Sequence, residues 1–246
     1  MPSYRTIFIS DTHLGGACNY QALLNFLREN DADTWYIVGD FLGLWELRRA
    51  KAWPPEANTV IQKILRKARK GSKFILLPGN HDPELGIFKG FELGGIEVVD
   101  KTIFNALDGR KFLVIHGDLF DPVMGHAKWL AKFGSVLYDW LVGLNTSMNW
   151  IRKILGLRFW SFSAAIKKAV KGAVAYAGDY EASLREMARQ SGANGVVCGH
   201  IHTAALKDEG WDGVSYFNCG DFVESLTAIV EHSDTGRFEL VHYDNH

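Results

Sequence analysis

Short apolar runs that stop abruptly at polar residues recur along this chain. "TIFISDTH" runs from Thr6 to His13, "TWYIVGD" from Thr34 to Asp40, "KFILLPGNHD" from Lys73 to Asp82, "KFLVIHGD" from Lys111 to Asp118 and "GVVCGHIH" from Gly195 to His202. Each begins with three to five residues rich in Ile, Val, Phe and Leu, as a buried strand does, and ends at Gly, Asp, Asn or His, as a strand ends in a loop. Between them, "NYQALLNFLREN" (19–30), "ANTVIQKILRKARKG" (57–71) and "GDYEASLREMARQSG" (178–192) carry helical spacing, the last stopping at Gly192. Strand alternates with helix, so the expected class is α/β, with ligands beyond the carboxyl ends of the strands.

The polar groups at those ends are Asp11, His13, Asp40, Asn80, His116, His200 and His202. Residues two apart on an extended segment point to one side, so Asp11 and His13 converge, as do His200 and His202. Taken alone, the first segment also admits a plainer reading, with Asp11 or Thr12 capping a helix and His13 a polar loop residue. Likewise "GNHD" alone could be a polar surface turn. Carboxylate, imidazole and amide oxygen together suit Mn, Fe or Zn, and seven such groups exceed the needs of one tetrahedral ion. They suffice for two ions about 3.5–4 Å apart that share a carboxylate.

Those five blocks, Asp-x-His, Gly-Asp, Gly-Asn-His-Asp, His-Gly-Asp and Gly-His-x-His, resemble in content and order the calcineurin-like metallophosphoesterases. The resemblance implies a four-layer αββα sandwich of two mixed sheets and a hydrolase with two divalent ions. By position, Asp11, His13, Asp40 and His202 match one site's ligands, and Asp40, Asn80, His116 and His200 the other's. His81 matches the histidine that contacts phosphate or protonates the leaving group, and Asp82 the carboxylate expected to orient it.

Composition fits a single domain spanning 1–246 with a helical insertion over about 122–177. The formal net charge of −1 argues against bulk coating of nucleic acid. Three scattered cysteines, Cys18, Cys198 and Cys219, form no CxxC pair and are expected to be buried thiols in a reducing compartment. No run of about 18 apolar residues and no leader-like start is seen, so a cytoplasmic, soluble protein is expected.

The segment 126–172 is unusual. It sets Lys128, Lys132, Arg152, Lys153, Arg158, Lys167, Lys168 and Lys171 against the single acid Asp139, and holds four of the eight tryptophans. An ordinary helical subdomain, a nucleic-acid groove and an amphiphile-binding lid with a basic rim at an anionic membrane surface all fit such a segment. "GDFLGLW", this insertion and the tail "FNCGDFVESLTAIVE" resemble the UDP-2,3-diacylglucosamine hydrolase branch. That resemblance implies cleavage of a UDP-sugar lipid to UMP and a lipid sugar phosphate, typically with manganese, by an enzyme of lipid A synthesis peripheral to the inner membrane. Trp45, Arg158, Ser163, Lys167 and Lys168 are then the expected substrate-binding residues. His81 departs from the arginine of that branch, which leaves another phospholipid, nucleotide or phosphodiester as the alternative substrate. A non-catalytic scaffold is the third reading, and the filled ligand positions weigh against it.

Overall fold

The computed structural model of the chain describes residues 3–50, 52–120, 178–208 and 213–243. The chain divides into two compact units, Met1–Asp118 with Leu184–His246, and Leu119–Ser183. The expected insertion over 122–177, with Arg158, Ser163, Lys167 and Lys168, lies outside the described residues.

The first unit is built on two sheets. One has seven strands in the order β12-β11-β1-β2-β3-β5-β4: β1 Ser3–Ile9, β2 Asp31–Val38, β3 Lys73–Leu77, β4 Glu92–Leu93, β5 Ile96–Val98, β11 Thr227–His232 and β12 Phe238–His242. The other has five, in the order β6-β7-β8-β10-β9: β6 Lys101–Asn105, β7 Lys111–Ile115, β8 Gly195–Cys198, β9 Ala205–Lys207 and β10 Ser215–Asn218. Both are mixed. β1, β2, β3 and β5 run parallel, as do β7, β8 and β10, while β11, β12, β4, β6 and β9 add antiparallel partners.

Strand alternation sorts the apolar residues into layers. Ile7, Ile9, Trp35, Ile37, Phe74 and Leu76 face one way, against α1 (Tyr20–Glu29) and α3 (Pro55–Arg69). Their neighbours Phe8, Tyr36, Val38, Ile75 and Leu77 face the other sheet, meeting Phe112, Val114, Val197 and Phe217. Strands buried on both faces read as unbroken apolar runs, which is why these segments stand out in the sequence. α1 begins where the Asn19 side chain accepts from the Ala22 N–H at 3.1 Å. Thus Asn19, not Asp11 or Thr12, caps the first helix; the Thr12 hydroxyl donates to Phe41 O at 2.9 Å instead. α3 starts on Pro55 and buries the stripe Ala57, Val60, Ile64 and Lys67, at the i, i+3, i+7 and i+10 positions of one face.

The fourth layer is α4, helical over 178–190, whose part from Leu184 onward belongs to this unit. Leu184 and Ala188 are buried, and the Arg185 guanidinium lies 5.8 Å over the Tyr216 ring of β10. Gly192, at φ 68°, turns the chain after the helix, and Ala193 N–H donates back to Ala188 O at 2.9 Å. The order helix, sheet, sheet, helix is the expected αββα sandwich. A short helix after β2, α2 (Leu44–Ala50), has no buried residue and no counterpart in the sequence reading.

Between the sheets, Phe8 stacks on Tyr36 at 4.8 Å and meets Phe104 edge-on at 5.1 Å. Phe8→Ala should therefore destabilise the protein by about 3–5 kcal/mol, read as a lowered urea midpoint.

Candidate metal centre

The strand ends that carry the polar residues are tied to one another by backbone bonds. Asp11 N–H donates to Gly39 O at 3.1 Å, His13 N–H to Asp40 O at 3.0 Å and Gly199 N–H to His116 O at 3.1 Å. The backbone there is strained. Asp11, His13, Asp40, His200 and His202 have φ between 46° and 71°, and among the described residues the remaining non-glycine residue with positive φ is Leu226. Such a conformation costs on the order of 1–3 kcal/mol per residue and persists only where the surroundings impose it. Five of six such residues coincide with expected ligands, so the fold spends that strain at one place.

Two glycines let the ends close up. A Cβ on Gly79 would stand 2.2 Å from Asp40 Oδ1 and 2.8 Å from His116 Nε2. One on Gly199 would stand 2.4 Å from Ser10 Oγ and 2.5 Å from Asp11 Oδ2. The glycines of "GNHD" and "GHIH" are therefore needed for close approach of backbone to ligand.

The resulting geometry has two centres. Asp11, His13 and His202 form one group of mutually close ligand atoms and Asp40, His116 and His200 another. Asp40 Oδ2 lies between them, 3.8 Å from His13 Nε2 and 3.5 Å from His116 Nε2. Asn80 Oδ1 joins the second group, 3.4 Å from His116 Nε2. Atoms bound at about 2.0–2.2 Å to one ion stand about 3–3.6 Å apart, so this spacing suits shared ions better than direct hydrogen bonds.

The unsatisfied atoms give a sharper test of fit. Each aspartate has one oxygen fixed by a backbone N–H from another ligand loop: His200 N–H to Asp11 Oδ2 and His81 N–H to Asp40 Oδ1, both at 2.8 Å. The opposite oxygens, Asp11 Oδ1 and Asp40 Oδ2, are buried without a hydrogen bond, as is His13 Nε2. His202 Nε2 is 3.1 Å from Asp11 Oδ1 without hydrogen-bond alignment. Buried polar atoms are otherwise nearly always paired. Two fully buried carboxylates and an imidazole with lone pairs aimed at common points are the donor set of two divalent cations, and these residues fit them.

Electrostatics agrees. Burial pushes the Asp11 and Asp40 carboxyls up, but the imidazoles of His202 and His116 outweigh it, so both lie below the ordinary carboxylate value. Burial holds His13 down at about 4, against the pull of Asp11 and Asp40, so it is neutral and able to ligate at neutral pH. For His116, burial is overcome by Asp40, and the group rises to about 9. A cation at its Nε2 must displace that proton.

The remaining partners orient the ligands. His116 Nδ1 lies 2.9 Å from Val38 O, which turns Nε2 towards Asp40. His202 Nδ1 lies 3.6 Å from Asp221 Oδ2, and Asp221 is itself buried and held by the Val223 N–H at 2.7 Å and the Ser225 hydroxyl at 2.9 Å. Asp221 sits in "NCGDF" and was invisible as a site residue, because nothing in an isolated Gly-Asp shows that it folds back onto His202.

His81 borders the first centre, its ring 4.6 Å from that of His13 and 4.6 Å from that of Trp45. Trp45, expected at the substrate cleft, is half exposed beside it. Asp82 does not orient His81. Its carboxylate is buried and accepts from the Gly79 N–H at 2.7 Å and the Leu42 N–H at 2.9 Å, clamping two ligand loops, and burial raises it to about 6 in spite of those bonds.

A buried two-centred metal site at the strand ends of an αββα sandwich defines a class of metal-dependent hydrolases. The chain belongs to the calcineurin-like phosphoesterase family, whose sequence profile matches residues 4–204. Among curated proteins none matches. Solved structures similar to it include a novel archaeal phosphodiesterase, 14% identical over 96% of this chain and 98% of that one, with a TM-score of 0.44. A single mutant of Vps29 from Entamoeba histolytica is 14% identical over 97% and 99%, with a TM-score of 0.42. The nuclease MPE of Pseudomonas putida is 28% identical over 40% of this chain and 48% of its own, with a TM-score of 0.27. At these scores the likenesses carry no argument about activity. No helix among the described residues is long and apolar enough to cross a membrane.

In metal-free protein, the proton on His116 contributes stability that is fully present below its ordinary 6.5 and is lost as pH rises through about 9. Above about pH 7.5 His13 and Asp82 have largely finished titrating in the folded and the unfolded chain. The urea midpoint of chelator-treated protein should decline from about pH 7.5 to 9, and the slope should flatten in His116→Gln. Asp221→Asn should weaken metal affinity about 10–100-fold, read by competition with a chromophoric chelator, with the fold kept.

Proposed function

We propose that this protein is a two-metal hydrolase of phosphoester or pyrophosphate bonds, and that its substrate is a UDP-2,3-diacylglucosamine-like nucleotide-sugar lipid, cleaved to UMP and a lipid sugar phosphate. The single observation that carries the catalytic part is the pair of ligand groups joined through Asp40 Oδ2, with unbonded oxygens turned inward. When bound, two divalent ions supply Lewis-acid charge for the phosphoryl oxygens and lower the pKa of a water to about 7. Manganese is the first choice, with iron or zinc compatible with the same nitrogen and oxygen donors.

The chain's own groups do the rest. Asp11 and Asp40 are held ionised, and His13 neutral, so these three are ready for cations at neutral pH, whereas His116 gives up its proton as a cation binds. His81, one-fifth exposed at the rim, is the group that meets the departing oxygen. Trp45, half exposed and lying over the His81 ring, offers a flat apolar wall for the part of the substrate next to the scissile bond. The lipid reading is supported by the sequence features "GDFLGLW", the basic and aromatic insertion and the tail. Substrate binding by Arg158, Ser163, Lys167 and Lys168, contact with an anionic inner-membrane surface and a cytoplasmic location all belong to that reading. A second reading, another phospholipid, nucleotide or phosphodiester, is favoured by His81 itself, because imidazole cannot make the bidentate phosphate contact of an arginine.

Phosphorus NMR of metal-stripped protein with UDP-2,3-diacylglucosamine decides between them. The expected result is Mn²⁺-dependent appearance of UMP and lipid sugar phosphate, lost in Asp40→Asn and His116→Ala. Mn²⁺-dependent cleavage of a generic phosphodiester without turnover of the lipid would select the second reading, and no cleavage of either would leave a metal-binding scaffold.

A further inference from the structure

The helix α2 buries no residue, yet one of its atoms is sealed from solvent. Glu46 Oε2 is buried and accepts no hydrogen bond, although 41% of the Glu46 side chain is exposed. It faces His81 Nδ1, which is likewise buried without a hydrogen-bond partner, at 3.7 Å. A donor and an acceptor, each desolvated and each unmatched, thus look at one another across slightly more than a hydrogen bond. Catalytic hydrogen bonds are commonly this long before substrate binds and tighten in the complex.

Local backbone shows that the placement of Glu46 is built in. A Cβ on Gly16 would lie 3.1 Å from Glu46 Cγ, and one on Gly43 2.9 Å from Glu46 Oε2. Gly15, at φ 90°, has Leu47 in the space a Cβ would need, 2.4 Å away. Gly43 N–H donates to Leu14 O at 2.9 Å and Leu47 N–H to Gly43 O at 3.0 Å, which joins the start of α2 to the loop of His13. Asp82, the next residue after His81, is committed to Gly79 and Leu42.

We propose that Glu46 is the positioning residue of His81. Its carboxylate accepts the Nδ1–H of the imidazolium and leaves the Nε2–H edge facing substrate, so that the neutral ring left after proton transfer is the Nδ1–H tautomer. The inference rests on the phosphoesterase reading, with His81 as proton donor. As the bond from phosphorus to the leaving oxygen breaks, that oxygen takes its electron pair and the proton on Nε2; the Nδ1 proton stays on the ring, bonded to Glu46, and solvent later returns the Nε2 proton. The benefit is greatest for esters whose leaving group is a poor one, such as an alkyl or ribosyl alkoxide.

The test compares wild type, Glu46→Ala, Glu46→Gln and His81→Ala, all Mn²⁺-loaded, on a p-nitrophenyl and an alkyl phosphodiester. Glu46→Ala should lower kcat on the alkyl ester by about 100-fold, at least tenfold more than on the p-nitrophenyl ester. Glu46→Gln, which keeps an oxygen acceptor, should recover much of that loss, and adding Glu46→Ala to His81→Ala should change nothing further. Independently of activity, nitrogen-15 NMR of the metal-free protein, at a pH where the ring is neutral, should find the His81 proton on Nδ1 in wild type and Glu46→Gln, and divided between the two nitrogens in Glu46→Ala. Equal losses on both esters, or a tautomer unmoved by Glu46→Ala, would overturn the proposal. So would a third bound ion lost in that variant, since His13, Glu46 and His81 are close enough to hold a cation. If wild type cleaves neither ester, the phosphoesterase reading fails, and the tautomer still decides whether Glu46 holds His81.

Discussion

Two fully buried carboxylates, Asp11 and Asp40, share one neighbour, His13, and each disfavours ionisation of the other. Such an arrangement is tolerable only if positive charge is held beside it. In the protein alone, part of that charge is the proton on His116; with cations present it is theirs. Much of the site's construction answers this single demand. One oxygen of each carboxylate is fixed by a backbone N–H, and the second is turned to where a cation would lie. The imidazole of His116 is oriented by Val38 O and that of His202 faces Asp221.

The sandwich supplies the rigidity that this demand requires. β1, β2 and β3 of one sheet and β7 and β8 of the other end together, and their cores, one beneath the helices and one between the sheets, are closely packed aromatic and branched side chains. Over such a base, five ligand residues can be held in left-handed backbone that an isolated loop would abandon. The backbone bonds from Asp11 to Gly39 and from His13 to Asp40 extend the pairing of β1 and β2 beyond the strands, so the two loops move as one.

Function then turns on a small rim around the centre. Asp82 and Glu46 show how little residue type alone says about role. Asp82 lies next to His81 in the chain but serves as a clamp between loops, and Glu46, thirty-five positions earlier, is the carboxylate that faces the His81 ring. Sequence adjacency to a histidine does not aim a carboxylate at it, because the intervening backbone at Asp82 turns its side chain back towards Gly79.

The sequence by itself determined the strands that carry the site. Runs such as Ile7-Phe8-Ile9 and Phe74-Ile75-Leu76-Leu77 are apolar on both faces, and burial on both faces leaves no other pattern. It also determined the ligand chemistry, since aspartate, histidine and asparagine at strand ends declare their donor atoms wherever they lie. The helices at 20–29, 55–69 and 178–190 were legible to within two residues at each end through their apolar stripes. Short or one-sided elements were not: α2, with no buried residue, and the edge strands β4, β6, β9 and β12 carry too little periodicity to register. Only tertiary structure decided which donor atoms are left unbonded, that Asp221 supports His202, that Asp82 clamps and that Glu46 faces His81. Those are relations between segments up to about two hundred residues apart, and a hydrogen bond or its absence is fixed by where the folded backbone brings two atoms, which local sequence does not encode.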